Sequence, residues 1–401
     1  MDATTVPPTT MTSTTATPPS KSRVPELDGL RGIAISLVLI LHFSYFNPAP
    51  DHYPTEWIKR LLGPLGRFAA FGWSGVDLFF VLSGFLIGGI LLDARGSPNY
   101  FKTFYVRRVF RIFPIYYLWI LAYTILALLL GARLRGPLSL GPVPLRTVSI
   151  YYLFLQDFSW RVSTKLTALW LGPLWSLAVE EQFYILAPFA IRYLPRKRLV
   201  TALLAAVAIA PALRILAMFL SRYHMGLQGL MYKTMPCRMD SLAFGVLCAV
   251  IWRSPKAVSW ISRNRFGMQA ALLTLVGGYL AIAALNPEPL TMLMAAFGFS
   301  WIAVTFACLL LVVMTERASW LAGLTRMAWL RELGKVSYCV YMIHGVVGSF
   351  CGMLFGVLRR AGSGRSLASN CVAIVVSYAI ARVSWDFFEN PLLRKGHKYK
   401  Y

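Results

Sequence analysis

The sequence predicts an all-α, multi-pass integral membrane bundle of about ten transmembrane helices. Three observations carry this. Hydrophobic residues make up 57% of the 401 positions, long apolar runs recur almost to the end, and the loops between them are short and basic. Helices of soluble domains need a polar face, which these runs lack. The net charge of +24 does not mark a nucleic-acid-binding protein, because its Lys and Arg are spread over many loops rather than gathered on one domain. The positive-inside rule produces that spread beside a bilayer. Anionic lipid head groups or a phosphate-bearing ligand are the expected partners of the charge.

Residues 1–22 are dominated by Thr, Pro, Ser and Ala, which predicts a disordered tail rather than a signal peptide. Residues 23–392 form the transmembrane domain, and 393–401 a basic C-terminal tail. Spans are expected near 31–47, 72–92, 111–131, 174–193, 199–220, 239–252, 267–285, 291–314, 334–357 and 367–388. The 239–252 span is short. The stretch "VSIYYLFLQDF" at 148–158 reads as a re-entrant or interfacial piece. Placing the N-terminus inside puts most Lys and Arg on the cytoplasmic side, so both termini are expected there. The cysteines include no C-x-x-C pair and mostly lie within apolar runs, as small buried hydrophobes do. No disulfide framework and no metal site is implied.

Ionisable residues inside spans are costly and usually face the protein interior, so they are the functional candidates. "LDGLRGIAISLVLILHF" carries Arg31 at its foot and His42 well inside. Eleven residues are three helical turns, so the two share a face but stand roughly 16 Å apart along the axis. They cannot touch; a shared role requires a long ligand, with Arg31 near the surface and His42 deep. A neutral imidazole in a low-dielectric site suits a general base or nucleophile. The plainer alternative is that Arg31 anchors the helix end and His42 bonds a neighbouring helix.

In the second span, "GVDLFFVLSGFLIGG", Asp77 either orients an imidazole such as His42 or caps the span. Ser83 and the glycines after it suit close helix packing. "FYVRRVFRIFP" places Arg108 and Arg111 three residues apart on one face at the foot of the third span. Such a pair can grip phosphate oxygens or serve as ordinary flanking charge. "LWSLAVEEQFY" holds Glu180 and Glu181, about 100° apart on a helix, so one of them is expected to point inward. Trp175 and Tyr184 are expected as interfacial belt residues. Further along come Arg238 and Asp240, His344 within "VSYCVYMIHG", and Asp386 and Glu389 near the end of the last span.

In order and spacing, "ELDGLRGIAI", "GVDLFFVLSGFLI", "FYVRRVFRIFP", "LWSLAVEEQFY", "RMDSLAFG", "VSYCVYMIHG" and "FFENPL" resemble the integral-membrane acyltransferase family 3. The resemblance covers nearly the whole bundle. It implies transfer of an acyl group, often acetyl, from acyl-CoA to a hydroxyl of a carbohydrate or natural product, with no tightly bound cofactor. Arg31 and His42 correspond to the family's essential pair, and Arg108 and Arg111 to its proposed donor-binding motif. Asp77 is expected to support catalysis, and Glu180, Glu181, Ser83 and His344 to bind the acceptor or support the site. His42 is expected either to deprotonate the acceptor or to carry the acyl group.

Some members carry a fused esterase-like domain; this chain resembles the stand-alone type. The expected acceptor is a cell-envelope or exported glycan, and the expected location a bacterial plasma membrane. A glycosylated small molecule such as a macrolide is the second acceptor class. A transporter or a flippase-like protein is the rival reading, although no inverted repeat is evident. Nothing in the sequence speaks to an oligomeric state.

Overall fold

The computed structural model describes residues 24–43, 65–130, 145–158, 165–223, 227–285, 288–359 and 367–401. The expected disordered tail at 1–22 lies outside them. The described residues are mostly helical, joined by short turns, and contain no strand. In chain order the helices are α1 Pro25–Phe43, α2 Gly75–Asp93, α3 Tyr100–Leu130, α4 Leu145–Tyr152, α5 Lys165–Leu171, α6 Trp175–Tyr193, α7 Arg196–Leu220 and α8 Leu227–Lys233. After them come α9 Met235–Trp252, α10 Pro255–Arg263, α11 Arg265–Leu285, α12 Phe299–Thr315, α13 Trp320–Thr325, α14 Ala328–Arg359, α15 Leu367–Ser384 and α16 Asn390–His397.

The all-α, multi-pass character holds. Among the described residues, 8 helices are long and apolar enough to cross a membrane. Of the ten expected positions, α1 and α6 fall short because they carry Glu26, Asp28 and Arg31, and Glu180, Glu181 and Arg192. Those two helices are among the ones that line the site. The α2 and α12 segments are the most enclosed, whereas α7, α11 and α15 present most of their apolar surface outward. The third span begins earlier than expected: α3 starts at Tyr100, so Arg108 and Arg111 stand within the helix rather than below it. The short 239–252 span is lengthened at its start, since α9 begins at Met235 and follows α8 closely.

Close approach of backbones sets the positions of the lining helices. A Cβ at Gly84 would stand 2.1 Å from the Leu242 carbonyl oxygen, and one at Gly245 2.2 Å from that of Val81. Only glycine permits the α2–α9 contact. Gly32 and Gly334 do the same for α1 against α14, facing the carbonyls of Leu330 and Asp28.

Two buried ion pairs anchor α9, one to α2 and one to α7. Arg238 Nη2 donates to Asp77 Oδ1 at 2.7 Å, and the Ser241 hydroxyl donates to the same oxygen at 2.9 Å. Arg214 donates to Asp240 Oδ2 at 2.9 Å and to the carbonyls of Ala295 and Cys237. All four charged side chains are inaccessible. Charges this deep are tolerated only when paired, and Ser300 of α12 accepts from Arg214 and donates to Asp240, so the network ties α2, α7, α9 and α12 into one arrangement.

At the C-terminal end, α16 packs on α3 through Gly396 and Phe110. The Tyr399 and Lys400 carbonyls accept from Arg107 and Thr103.

Candidate active site

Two cavities lie one above the other between α1, α2, α6 and α14. The first, with about 1160 Å³ of space including its open mouth, is lined by Arg31, Arg108, Arg111 and Lys335, and by Glu180, Glu181 and Glu389. The second, about 690 Å³, is lined by His42, His344, Trp73, Trp175 and Tyr232. Val76 and Tyr341 line both.

Each helix gives the same order of depth. On α1, Arg31 lines the first cavity and His42 the second; on α14, Lys335 lines the first, Tyr341 both and His344 the second. On α2, Ser83 lines the first and Val76 both, with Trp73 just before the helix in the second. On α6, Tyr184, Glu181, Glu180 and Ser176 line the first, and Trp175 the second. The 16 Å or so that helix geometry puts between Arg31 and His42 thus separates a residue of one chamber from a residue of the other, while the chambers themselves adjoin at Val76 and Tyr341.

In the first cavity the cations differ in how far they are committed. Arg31 donates to Asp28 at 3.1 Å, and Lys335 is paired with Glu332. Arg111 makes no hydrogen bond or ion pair among the described residues. Arg108 lies over the Phe104 and Tyr184 rings at 5.9 Å, and its buried Nε has no hydrogen-bond partner. Two guanidiniums one turn apart with donors to spare can accept an anion. Glu180 and Glu181 both line this cavity, where one had been expected to turn inward. The cavity is broad enough to take side chains 100° apart.

Tyr184 donates to Glu180 Oε2 at 2.9 Å, and Ser83 lies 2.7 Å from the same phenol. One phenol has one proton, so the chain runs from Ser83 to Tyr184 to Glu180. Trp175 and Tyr184 are buried rather than interfacial. Their mixed apolar and polar character suits a polar cavity wall as well as a membrane belt. Glu181 Oε1 is buried without a partner, and Glu389 accepts from Ser384.

In the second cavity, His42 and His344 meet edge to face with ring centroids 4.6 Å apart. His42 Nδ1 lies 2.9 Å from the Val38 carbonyl oxygen, and His344 Nδ1 2.7 Å from that of Tyr341. A carbonyl only accepts, so each neutral ring carries its proton on Nδ1 and its lone pair on Nε2. A lone pair on Nε2 is what a base or nucleophile needs. Asp77 stands behind Val76, held by Arg238 and Ser241. The Arg238 guanidinium in turn lies 5.4 Å from the Tyr232 ring that lines the second cavity.

The structure therefore gathers Arg31, Arg108, Arg111, Ser83, Glu180 and Glu181 at one level, and His42 and His344 at the other. Sequence reasoning missed Tyr341, Val76, Ser176 and Tyr232, which look like ordinary apolar-helix residues. The signal that could have found them is their position: Tyr341 sits one turn from His344, and Val76 beside Asp77. Among the described residues no three His, Cys, Asp or Glu side chains converge as metal ligands would.

No solved structure matches the chain. The chain is 28% identical over 396 residues to "Putative peptidoglycan O-acetyltransferase YrhL" of Bacillus subtilis, a match covering 94% of the chain and 56% of that protein. It is 23% identical over 394 residues to peptidoglycan O-acetyltransferase OatA of Listeria monocytogenes, covering 94% and 57%. It is also 23% identical over 389 residues to O-acetyltransferase OatA of Staphylococcus aureus, covering 94% and 58%. The chain thus spans little more than half the length of these relatives. The family model described as "Acyltransferase domain" matches residues 24–382, which takes in all of the second cavity and all of the first except its Trp385, Glu389 and Leu393 wall, and the chain belongs to that acyltransferase 3 family.

Proposed function

We propose that the chain is a membrane-embedded O-acyltransferase. It moves a short acyl group, acetyl first, from an acyl-CoA to a hydroxyl of a cell-wall glycan. Peptidoglycan, which the names of two of its relatives carry, is the leading acceptor. The observation that carries the reading is the order of the two cavities, uncommitted arginines at one level and His42 at the other. Coenzyme A has the matching shape: a phosphate-bearing head and a long thin arm that ends in the thioester. Arg108 and Arg111 take the phosphate oxygens, and Arg31 adds charge at the same level. This face is the cytoplasmic one, with both termini inside.

Glu180, Glu181 and Ser83 face the donor's arm, whose amide groups can use their acceptors. At the far end, where His42 is exposed rather than buried as the sequence led one to expect, its Nε2 takes the proton of the acceptor hydroxyl as the hydroxyl oxygen bonds to the thioester carbonyl carbon. The carbon–sulfur bond then breaks, and the sulfur leaves with the proton held by the imidazolium. The same lone pair serves the alternative in which Nε2 bonds to the thioester carbon and the coenzyme A thiolate leaves; the hydroxyl oxygen then takes the acyl group from Nε2, and its proton goes to the thiolate. His344 braces the His42 ring, and Asp77 steadies the Tyr232 wall through Arg238.

The test uses purified chain in lipid nanodiscs with acetyl-CoA carrying a labelled acetyl group, plus peptidoglycan fragments. The expected result is release of free CoA with ester-linked label on the glycan. A folded, inserted chain that consumes no thioester overturns the reading. In sealed vesicles, label that crosses the membrane without forming an ester replaces it with transport.

A further inference from the structure

Val76 of α2 and Tyr341 of α14 line both cavities, so the two chambers adjoin at this pair. Tyr341 is fixed on several sides. Its hydroxyl lies 2.9 Å from that of Ser176. Its ring meets Phe79 edge-on at 6.1 Å and stands 5.9 Å from the ring of His344. Its carbonyl accepts from His344 Nδ1. A donor held by its phosphates at the arginines can reach His42 only with its acyl group in front, because the acyl group is the leading end of the arm. Whatever passes between Val76 and Tyr341 is therefore measured there before any chemistry begins.

We infer that Val76 and Tyr341 set the size of acyl group this chain transfers, admitting short unbranched groups and holding back longer ones. Ser176 is the positioning residue that keeps the Tyr341 ring across the passage. The inference rests on the acyl-CoA reading above. It differs from selection by an acyl pocket beside His42, because Ser176 lines only the arginine-side cavity.

The experiment compares kcat/KM for acetyl-CoA and butyryl-CoA in the full chain in nanodiscs. The variants are Val76→Ala, Val76→Ile and Ser176→Ala. Val76→Ala widens the passage and is expected to shift the butyryl-to-acetyl ratio upward by about tenfold, the scale on which a methylene or two is discriminated in an apolar site. Val76→Ile moves the ratio the other way, and Ser176→Ala moves it in the same direction as Val76→Ala. Donor binding at the arginines, read as displacement of labelled coenzyme A, is unchanged in all three. A ratio that stays constant across the variants while the wild type transfers acetyl overturns the sizing role and leaves the donor reading standing. A shift in the two Val76 variants with none in Ser176→Ala moves the sizing to the His42 chamber and also overturns it. A wild type that consumes neither thioester overturns both.

Discussion

His42 and His344 meet edge to face, their ring planes 77° apart, although they belong to α1 and α14, about 300 residues apart in the chain. Each Nδ1 is bonded to a backbone carbonyl of its own helix. Two rings with the same tautomer, packed against each other, fix where the Nε2 lone pair of His42 lies. The pairing gives the site two members whose loss should differ in kind.

Replacing His42 with Ala removes that lone pair. Acyl transfer should fall by about 10²–10⁴-fold, the usual contribution of a positioned base. Labelled ester formation on the glycan measures it, and coenzyme A binding should persist because the arginine cavity is untouched.

His344→Asn keeps a side-chain N–H for the Tyr341 carbonyl but removes the ring against His42. Here kcat should drop about 10²-fold through misplacement of the base, with donor KM unchanged. A variant whose KM rises while kcat holds would show that His344 binds substrate instead.

Arg108→Ala and Arg111→Ala should each weaken donor binding about 10–100-fold, as loss of a charge-assisted hydrogen bond does. At saturating acyl-CoA the rate should recover most of its wild-type value. The defect should also shrink as salt is raised, because added ions weaken the wild-type contact more than the variant's. Steady-state kinetics at two ionic strengths separates these outcomes.

Asp77→Ala leaves Arg238 charged, buried and unpaired, which should cost about 3–5 kcal/mol of stability. Asp77→Leu combined with Arg238→Met removes both charges and should recover much of that loss. Thermal unfolding of the detergent-purified variants reads both. If the double variant regains stability but stays inactive, Asp77 does more than hold the wall.

Much of this site was legible in the sequence. Arg31 and His42 lie on one helix face eleven residues apart, and helix geometry alone excludes contact between them. Arg108 and Arg111 share a face for the same reason. Partners drawn from distant segments were not legible. Asp77 was read toward an imidazole or a cap, but its carboxylate accepts from Arg238 and Ser241, far along the chain. The convergence of α1 and α14 depends on Gly32 and Gly334 meeting opposing carbonyls, which neither segment reveals by itself. Trp175 and Tyr184 misled because a residue with an apolar body and a polar tip suits a lipid interface and a polar cavity wall equally well.

The meeting of the two chambers at Val76 and Tyr341 also matters when no donor is present. A water-filled path joining the arginine chamber to the histidine chamber would be a leak through the bilayer, and protons would run down it. A membrane at 100 mV drives each unit charge with about 2.3 kcal/mol, so even a narrow wet thread would drain the cell's stored energy. At the pair shared by the two cavities, Val76 offers water no polar group and the Tyr341 hydroxyl is already engaged by Ser176. A pair that sizes the acyl group in the way inferred above would therefore also have to hold back water and protons between turnovers, with the donor's arm taking over that seal during them.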